Sequence, residues 1–289
     1  MSFRQNISSG KFTVTCEVAP KKSTHADEIL ETVREWDGLF DAVNVTDNQR
    51  ACVRASSLVV SKLLFDNGVE PVLQMTCRDR NRIALQSDLL GAHMLGIRNL
   101  LAVTGDHPRL GDHPNAKPVY DFDSTQLIEA VVGLNKGVDH AGNKVEGSTD
   151  FLVGAALNPC SEDAEAELQN ALRKIAAGAK FFQTQAVYDV DVFRDFVKQL
   201  PRDAVVLAGI VPLKSANMAN FMNEKVPGVN IPEQMISELS KSSDPAVVGL
   251  NQAADIIRQV RPSCHGVHVM AVHKGFDLAQ LLSLSGIND

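Results

Sequence analysis

Eight short apolar runs rich in β-branched residues punctuate this chain, and a helical pattern separates most of them from the next. The runs cover residues 12–19, 40–46, 71–77, 98–105, 151–157, 181–187, 204–212 and 266–272. Most are near-continuously apolar rather than alternating, which is how strands buried on both faces read. Between them, segments 26–36, 54–65, 82–95, 124–134, 162–177, 190–200 and 216–223 read as amphipathic helices. In the first, Ile29, Leu30, Val33 and Trp36 share one face. Helices over 231–239 and 246–258 precede the eighth run, and one over 277–284 follows it. Ser161, Asp189 and Ser215 stand where N-caps of three of these helices are expected. Eight such alternations in 289 residues predict an α/β fold, a single (β/α)8 TIM barrel over residues 1–289. About 250 residues is the usual size of that fold. The runner-up is a doubly wound open sheet, which puts a Gly-rich phosphate turn after an early strand. Glu17-Val-Ala-Pro-Lys-Lys22 is not such a turn.

Composition narrows the function classes. Apolar residues make up 44% and charged residues 22%, the balance of an ordinary globular protein. A formal charge of -7 without a basic block argues against a nucleic-acid partner. The five cysteines are scattered and form no C-x-x-C pair, so a reducing, cytoplasmic setting is expected. The first residues lack the apolar core of a signal peptide. No apolar run approaches the roughly 18 residues of a membrane span.

Barrel enzymes work at the C-terminal ends of their strands. Here those ends supply Glu17; Asn44, Thr46 and Asp47; Gln74, Thr76 and Cys77; Thr104 and Asp106; Asn158; Gln183 and Gln185; Pro212 and Lys214; and His268 and His273. No His/Asp/Glu set has metal-ligand spacing, so no metal is expected. Glu17 lies among Val14, Cys16 and Val18, where a carboxyl is partly desolvated and suited to donating a proton. The plain alternative is a strand-end acid paired with a cation. Asp106 opens a long loop, 106–123, on the same rim, and loops of that length are often functional. Loop 135–150 should lie on the opposite rim. Glu167, Asn170 and Lys174 share a helix face with Arg173 beside them, either as a solvated face or as a wall for ribose and phosphate.

In their order along the chain, these residues resemble the methylenetetrahydrofolate reductase family. The carriers are Glu17 before a Pro, Val43-Asn-Val-Thr46, Met75-Thr-Cys77 and Thr104-Gly-Asp106. They continue with Glu167, Asn170 and Arg173-Lys174 before Ala177-Gly-Ala179, then Thr184-Gln185, Gly209-Ile-Val-Pro212 and Val229-Asn-Ile-Pro232. The resemblance implies a flavoprotein of one-carbon metabolism and methionine biosynthesis. NAD(P)H reduces bound FAD, or FMN in its place, and the reduced flavin passes hydride to 5,10-methylenetetrahydrofolate, giving 5-methyltetrahydrofolate. Glu17 is then the acid that opens the folate's five-membered ring, and Asp106 lies between flavin and pterin. The flavin would be held by Thr46, Gln74, Thr104, Gly105, Asp106, Phe122, Ala155, Leu157, Glu167, Asn170, Arg173 and Lys174. Folate would meet Glu17, Asp106, Gln185, Met218, Phe221 and Met222.

Some positions depart from the well-studied bacterial members. Gln74 stands where they carry His, Thr104 where they carry Arg, and Leu157 where they carry Tyr. The pattern is similar to a divergent branch found with anaerobic one-carbon pathways. That likeness admits an electron-delivering partner subunit in place of NAD(P)H, and a homo-oligomer. It implies no animal-type regulatory extension. Two other functions compete. One is a folate-binding or methyl-transfer component without redox chemistry. The other is a Schiff-base lyase using Lys214.

Overall fold

All eight expected strands form, and each pairs in parallel with the next until the last closes on the first. The computed structural model describes residues 2–226, 228–270 and 276–287. The strands are β1 Thr13–Val18, β2 Ala42–Val45, β3 Pro71–Thr76, β4 Asn99–Val103, β5 Leu152–Leu157, β6 Phe181–Ala186, β7 Val205–Ile210 and β8 Gly266–Val269. The helices are α1 Phe3–Ser9, α2 Asp27–Glu35, α3 Ser57–Asp66, α4 Arg82–Met94, α5 Ser124–Asn135, α6 Ala164–Ala177, α7 Val190–Val197, α8 Ala216–Lys225, α9 Glu233–Lys241, α10 Pro245–Val260 and α11 Leu278–Leu284. The closed barrel excludes the open-sheet alternative. The end of the eighth run and His273 lie outside the described residues.

Strand residues alternate between two apolar cores. Val14, Cys16, Val43, Val45, Leu73, Met75, Val153, Phe182 and Val267 share one core with the helix residues Leu64, Leu89, Ile128, Leu168 and Ile257. Inside the barrel, Ala42, Val72, Leu101, Leu152, Phe181 and Leu207 fill the N-terminal half. Helix α1, absent from the sequence-based expectation, plugs that end. Its Phe3 is fully buried and meets the Phe181 ring edge-on at 5.2 Å. A capping box of Ser2 and Gln5 starts α1, and Gly10 at φ 72° ends it. Two caps fall as expected, at Asp189 and Ser215. The third does not: α6 begins after Asp163, whose carboxylate accepts from the Ala166 amide, and Ser161 lies outside it. Among the described residues, no helix is long and apolar enough to cross a membrane, and no cluster of His, Cys, Asp or Glu could hold a metal ion.

Candidate active site

Above the apolar plug, the barrel interior turns polar. Asn44 Nδ2 donates to Gln183 Oε1 at 2.6 Å, and Gln183 Nε2 donates back to Asn44 Oδ1 at 3.1 Å. The same Nε2 donates to Thr15 Oγ1 at 3.2 Å, and Thr15 Oγ1 lies 2.9 Å from His268 Nδ1. All four side chains are buried, so β1, β2, β6 and β8 are joined across the barrel by groups that satisfy one another.

Glu17 sits on this floor, one inward-facing position beyond Thr15 on β1. Its side chain is 12% exposed, enough to meet a ligand and too little to be freely solvated. Gln49 Nε2 donates to Oε1 at 3.1 Å, and Gln74 Nε2 to Oε2 at 3.4 Å. His268 Nε2 stands 3.6 Å from Oε2, in contact but beyond a hydrogen bond. Gln74, from the next strand but one, therefore serves the acid directly. Neither Gln49 nor the His268 contact was anticipated, although His268 was placed at the right strand. Among the described residues neither Lys nor Arg pairs with Glu17, and His268 is the one ionisable partner at its carboxyl.

Around Glu17 the rim is tied by charge. Arg78 is buried and bidentate to Asp79, and it also donates to the main-chain carbonyls of Asn48 and Asp106 at 3.2 Å each. Asp47 accepts from the Thr76 amide and hydroxyl at 2.8 and 2.9 Å, and pairs with Arg80. Farther out, Asp112 accepts from Lys22, the Val53 amide and His113. Those bonds hold its carboxyl well below the usual carboxylate range. The loops after β1, β2, β3 and β4 are thus one hydrogen-bonded unit.

The remaining expected residues divide into two groups. Thr104 and Asp106 are exposed on the rim, and Gln185 is exposed where a bulge shifts the β6–β7 register. Gly105 lies between the first two at φ 89°, and a β-carbon there would stand 3.1 Å from that of Thr76. Thr46 is buried, and its Oγ1 has no hydrogen-bond partner among the described residues. Phe221 is 43% exposed on α8, with Met218 half-buried beside it. Glu167 accepts from the Asn158 amide at 2.8 Å and from Asn170 at 3.2 Å, while Arg173 is exposed.

Other expected residues have side chains turned away from the mouth or engaged by other partners. Ala155 and Leu157 alternate out of phase with the inward Leu152 and Gly154, so their side chains pack toward the helices. Phe122 is 1% exposed, wedged between the Arg82 guanidinium at 5.1 Å and the His140 ring at 4.5 Å. Met222 is buried against the Tyr188 hydroxyl. Lys174 is buried, and its ammonium donates to the Ala156 carbonyl at 2.8 Å. Burial pushes that ammonium's pKa down, and the group is engaged in holding α6 to the end of β5. Burial likewise lowers the half-buried Lys214.

A closed parallel barrel with a largely buried, amide-held carboxyl under its C-terminal rim defines the class: a (β/α)8 barrel with its polar residues gathered at the strand ends, where this fold carries its sites. The model of the methylenetetrahydrofolate reductase family matches residues 2–286, and the chain belongs to that family. It is 26% identical to the 5,10-methylenetetrahydrofolate reductase of Pectobacterium carotovorum over 86% of this chain and 81% of that protein. The Escherichia coli enzyme of the same name is 25% identical, over 86% and 82%. Methylenetetrahydrofolate reductase 2 of Schizosaccharomyces pombe is 25% identical over 97% of this chain but only 46% of its own length. The chain thus spans less than half of that eukaryotic relative. Among solved structures, an uncharacterised Clostridium thermocellum protein that binds two copies of 5-methyl-5,6,7,8-tetrahydrofolic acid shares the fold. Its TM-score is 0.66 at 17% identity, over 98% of this chain and 96% of that one.

Proposed function

We propose that the chain reduces 5,10-methylenetetrahydrofolate to 5-methyltetrahydrofolate with a bound flavin, Glu17 acting as the acid. The observation that carries this is Glu17 itself: a largely buried carboxyl at the barrel mouth, held by the Gln49 and Gln74 amides with the His268 ring 3.6 Å away. The carboxyl can take a proton and give it to a nitrogen of a bound folate as the ring opens to the iminium.

The rim fits a flavin's polar edge. Thr46 Oγ1 is a buried hydroxyl without a partner, and buried polar groups ordinarily have one. Thr104 and Asp106 offer exposed polar side chains at the end of β4, and Asn170 and Arg173 lie on α6. When bound, a flavin, FAD or FMN, would supply the two-electron transfer to the iminium carbon. Asp106, a carboxylate on the rim, would bias the electrostatics between cofactor and pterin. Gln185 and Phe221 would orient the pterin and the ring beyond it. The floor of Thr15, Asn44, Gln183 and His268 keeps the Glu17 carboxyl fixed and keeps bulk water from reaching it from below. Electrons arrive from NAD(P)H or from an electron-delivering partner.

One observation favours the second reading, a folate-binding or methyl-transfer component. Lys174, a cation expected to hold the diphosphate, is engaged by a main-chain carbonyl. An absorbance spectrum of the purified protein distinguishes the two. Bands near those of a flavin, bleached by anaerobic NADH and restored by methylenetetrahydrofolate, support the reductase. Bands restored by folate but not bleached by NADH point to a protein donor. Tight folate binding by a colourless protein that takes up neither FAD nor FMN supports the second reading.

A further inference from the structure

Asn48, Arg50 and Ala51 all lie at positive φ, at 45°, 59° and 55°, although none is glycine. L-residues occupy this left-handed region at a steric cost, and three within four positions persist only where neighbouring contacts hold them. Those contacts surround the barrel mouth. Gln49, inside the segment, donates to Glu17 Oε1. The Arg50 guanidinium lies over the Phe221 ring, 5.5 Å from its centroid, on the helix that follows β7. That helix is three strands around the barrel from β2. Behind the segment, Gly111 approaches the Ala51 carbonyl so closely that any side chain there would overlap it. Asn48 Oδ1 accepts from the Arg54 amide at 3.0 Å, and its Nδ2 donates to Asp79 at 3.2 Å.

We propose that Gln49 is a positioning residue for Glu17, carried on a strained strap of residues 48–51 that closes over the acid and lifts to admit substrate. The inference rests on the role of Glu17 as proton donor. A primary amide suits the task because it carries both a donor and an acceptor. Its N–H₂ donates to the Glu17 carboxyl at 3.1 Å. Turned over, its carbonyl can accept from the protonated carboxyl, so one side chain keeps Glu17 oriented in both protonation states. The strap also covers one carboxyl oxygen, while Gln74 and His268 crowd the other. A substrate atom that takes Oε1 must displace the Gln49 amide, and with it the strap. Its outer latch is an exposed contact between Arg50 and Phe221, weak enough to part. A planar ligand stacking on Phe221 competes with Arg50 for the same ring face, which couples ligand arrival to release of the strap.

The test uses the full-length protein with its flavin, as wild type, Arg50→Ala and Gln49→Ala. Without any folate, amide hydrogen exchange over residues 48–54 should be at least roughly threefold faster in Arg50→Ala, with exchange in the β-strands unchanged. With 5-methyltetrahydrofolate as probe, stopped-flow association should also be faster in that variant. Gln49→Ala should bind the probe within about twofold of wild type yet oxidise its reduced flavin with methylenetetrahydrofolate at least roughly tenfold more slowly. Exchange in Arg50→Ala equal to wild type would overturn the strap. A Gln49→Ala rate equal to wild type would overturn the positioning role. If wild type binds no 5-methyltetrahydrofolate, the assignment of the site fails separately, and the exchange comparison still decides whether the strap is latched.

Discussion

Gln183→Met keeps the side-chain volume at the centre of the barrel and deletes the amide. Asn44 then loses the acceptor for its Nδ2 and the donor to its Oδ1, bonds of 2.6 and 3.1 Å in the wild type. Both groups are buried, so water does not replace what is lost. Each orphaned group costs roughly 1–3 kcal/mol, so the variant should lose about 2–6 kcal/mol of unfolding free energy. Asn44→Leu orphans Gln183 Oε1 alone, because Gln183 Nε2 keeps Thr15 Oγ1 at 3.2 Å. Its cost should be about 1–3 kcal/mol. The double variant removes both amides and leaves neither unpaired, so it should recover at least about 1.5 kcal/mol relative to the sum of the singles. At roughly 2 cal/mol/K of unfolding entropy per residue, a 3 kcal/mol loss in a chain this long lowers Tm by about 5 °C. Urea titrations followed by circular dichroism give the four free energies. A double variant equal to the sum of its singles would refute the claim that the two amides satisfy each other.

Two further predictions concern the rim and the core. Gly105→Ala forces a side chain into φ 89° against Thr76 and Arg78, and should cost about 1–3 kcal/mol, read as a lower urea midpoint; an unchanged midpoint contradicts it. Burial pushes the Cys77 thiol up to about 12 and the Cys264 thiol to about 11, and raises Cys16 and Cys160 as well. A raised thiol stays protonated and unreactive at pH 8. Mass mapping after brief alkylation of the native protein should therefore find label first on the partly exposed Cys52, and fast label on Cys77 would contradict the packing.

The barrel was legible because strands buried on both faces read as unbroken apolar runs, and eight such runs separated by helices leave few closed arrangements. Glu17 was legible for a related reason: a carboxylate inside an apolar strand stands out against its neighbours. Side-chain direction was less legible where the contrast vanishes. In Gly154-Ala-Ala-Leu157 every residue is apolar, so no polar alternation marks which side chains face the mouth. Ala155 and Leu157 were expected at the cofactor from the family resemblance alone, and nothing in the strand's pattern could weigh against it. Phe122 and Lys174 were hidden in another way. Each sits at a position compatible with binding, but its partners, Arg82 and the Ala156 carbonyl, come from other elements. Helix α1 spans seven residues, too few for a helical period to register. Gln49 was invisible because only the folded strap brings it to a carboxyl on another strand.

The role of Glu17 is tested most directly by the two half-reactions of Glu17→Gln, followed separately in an anaerobic stopped-flow instrument. The substitution keeps shape and removes the ionisable proton. Reduction of the bound flavin by its electron donor should proceed at the wild-type rate. Reoxidation of the reduced flavin by methylenetetrahydrofolate should slow by about 10²–10⁴-fold, the usual contribution of a positioned acid. Reoxidation at the wild-type rate, with reduction equally intact, would contradict the assignment of Glu17 as the proton donor.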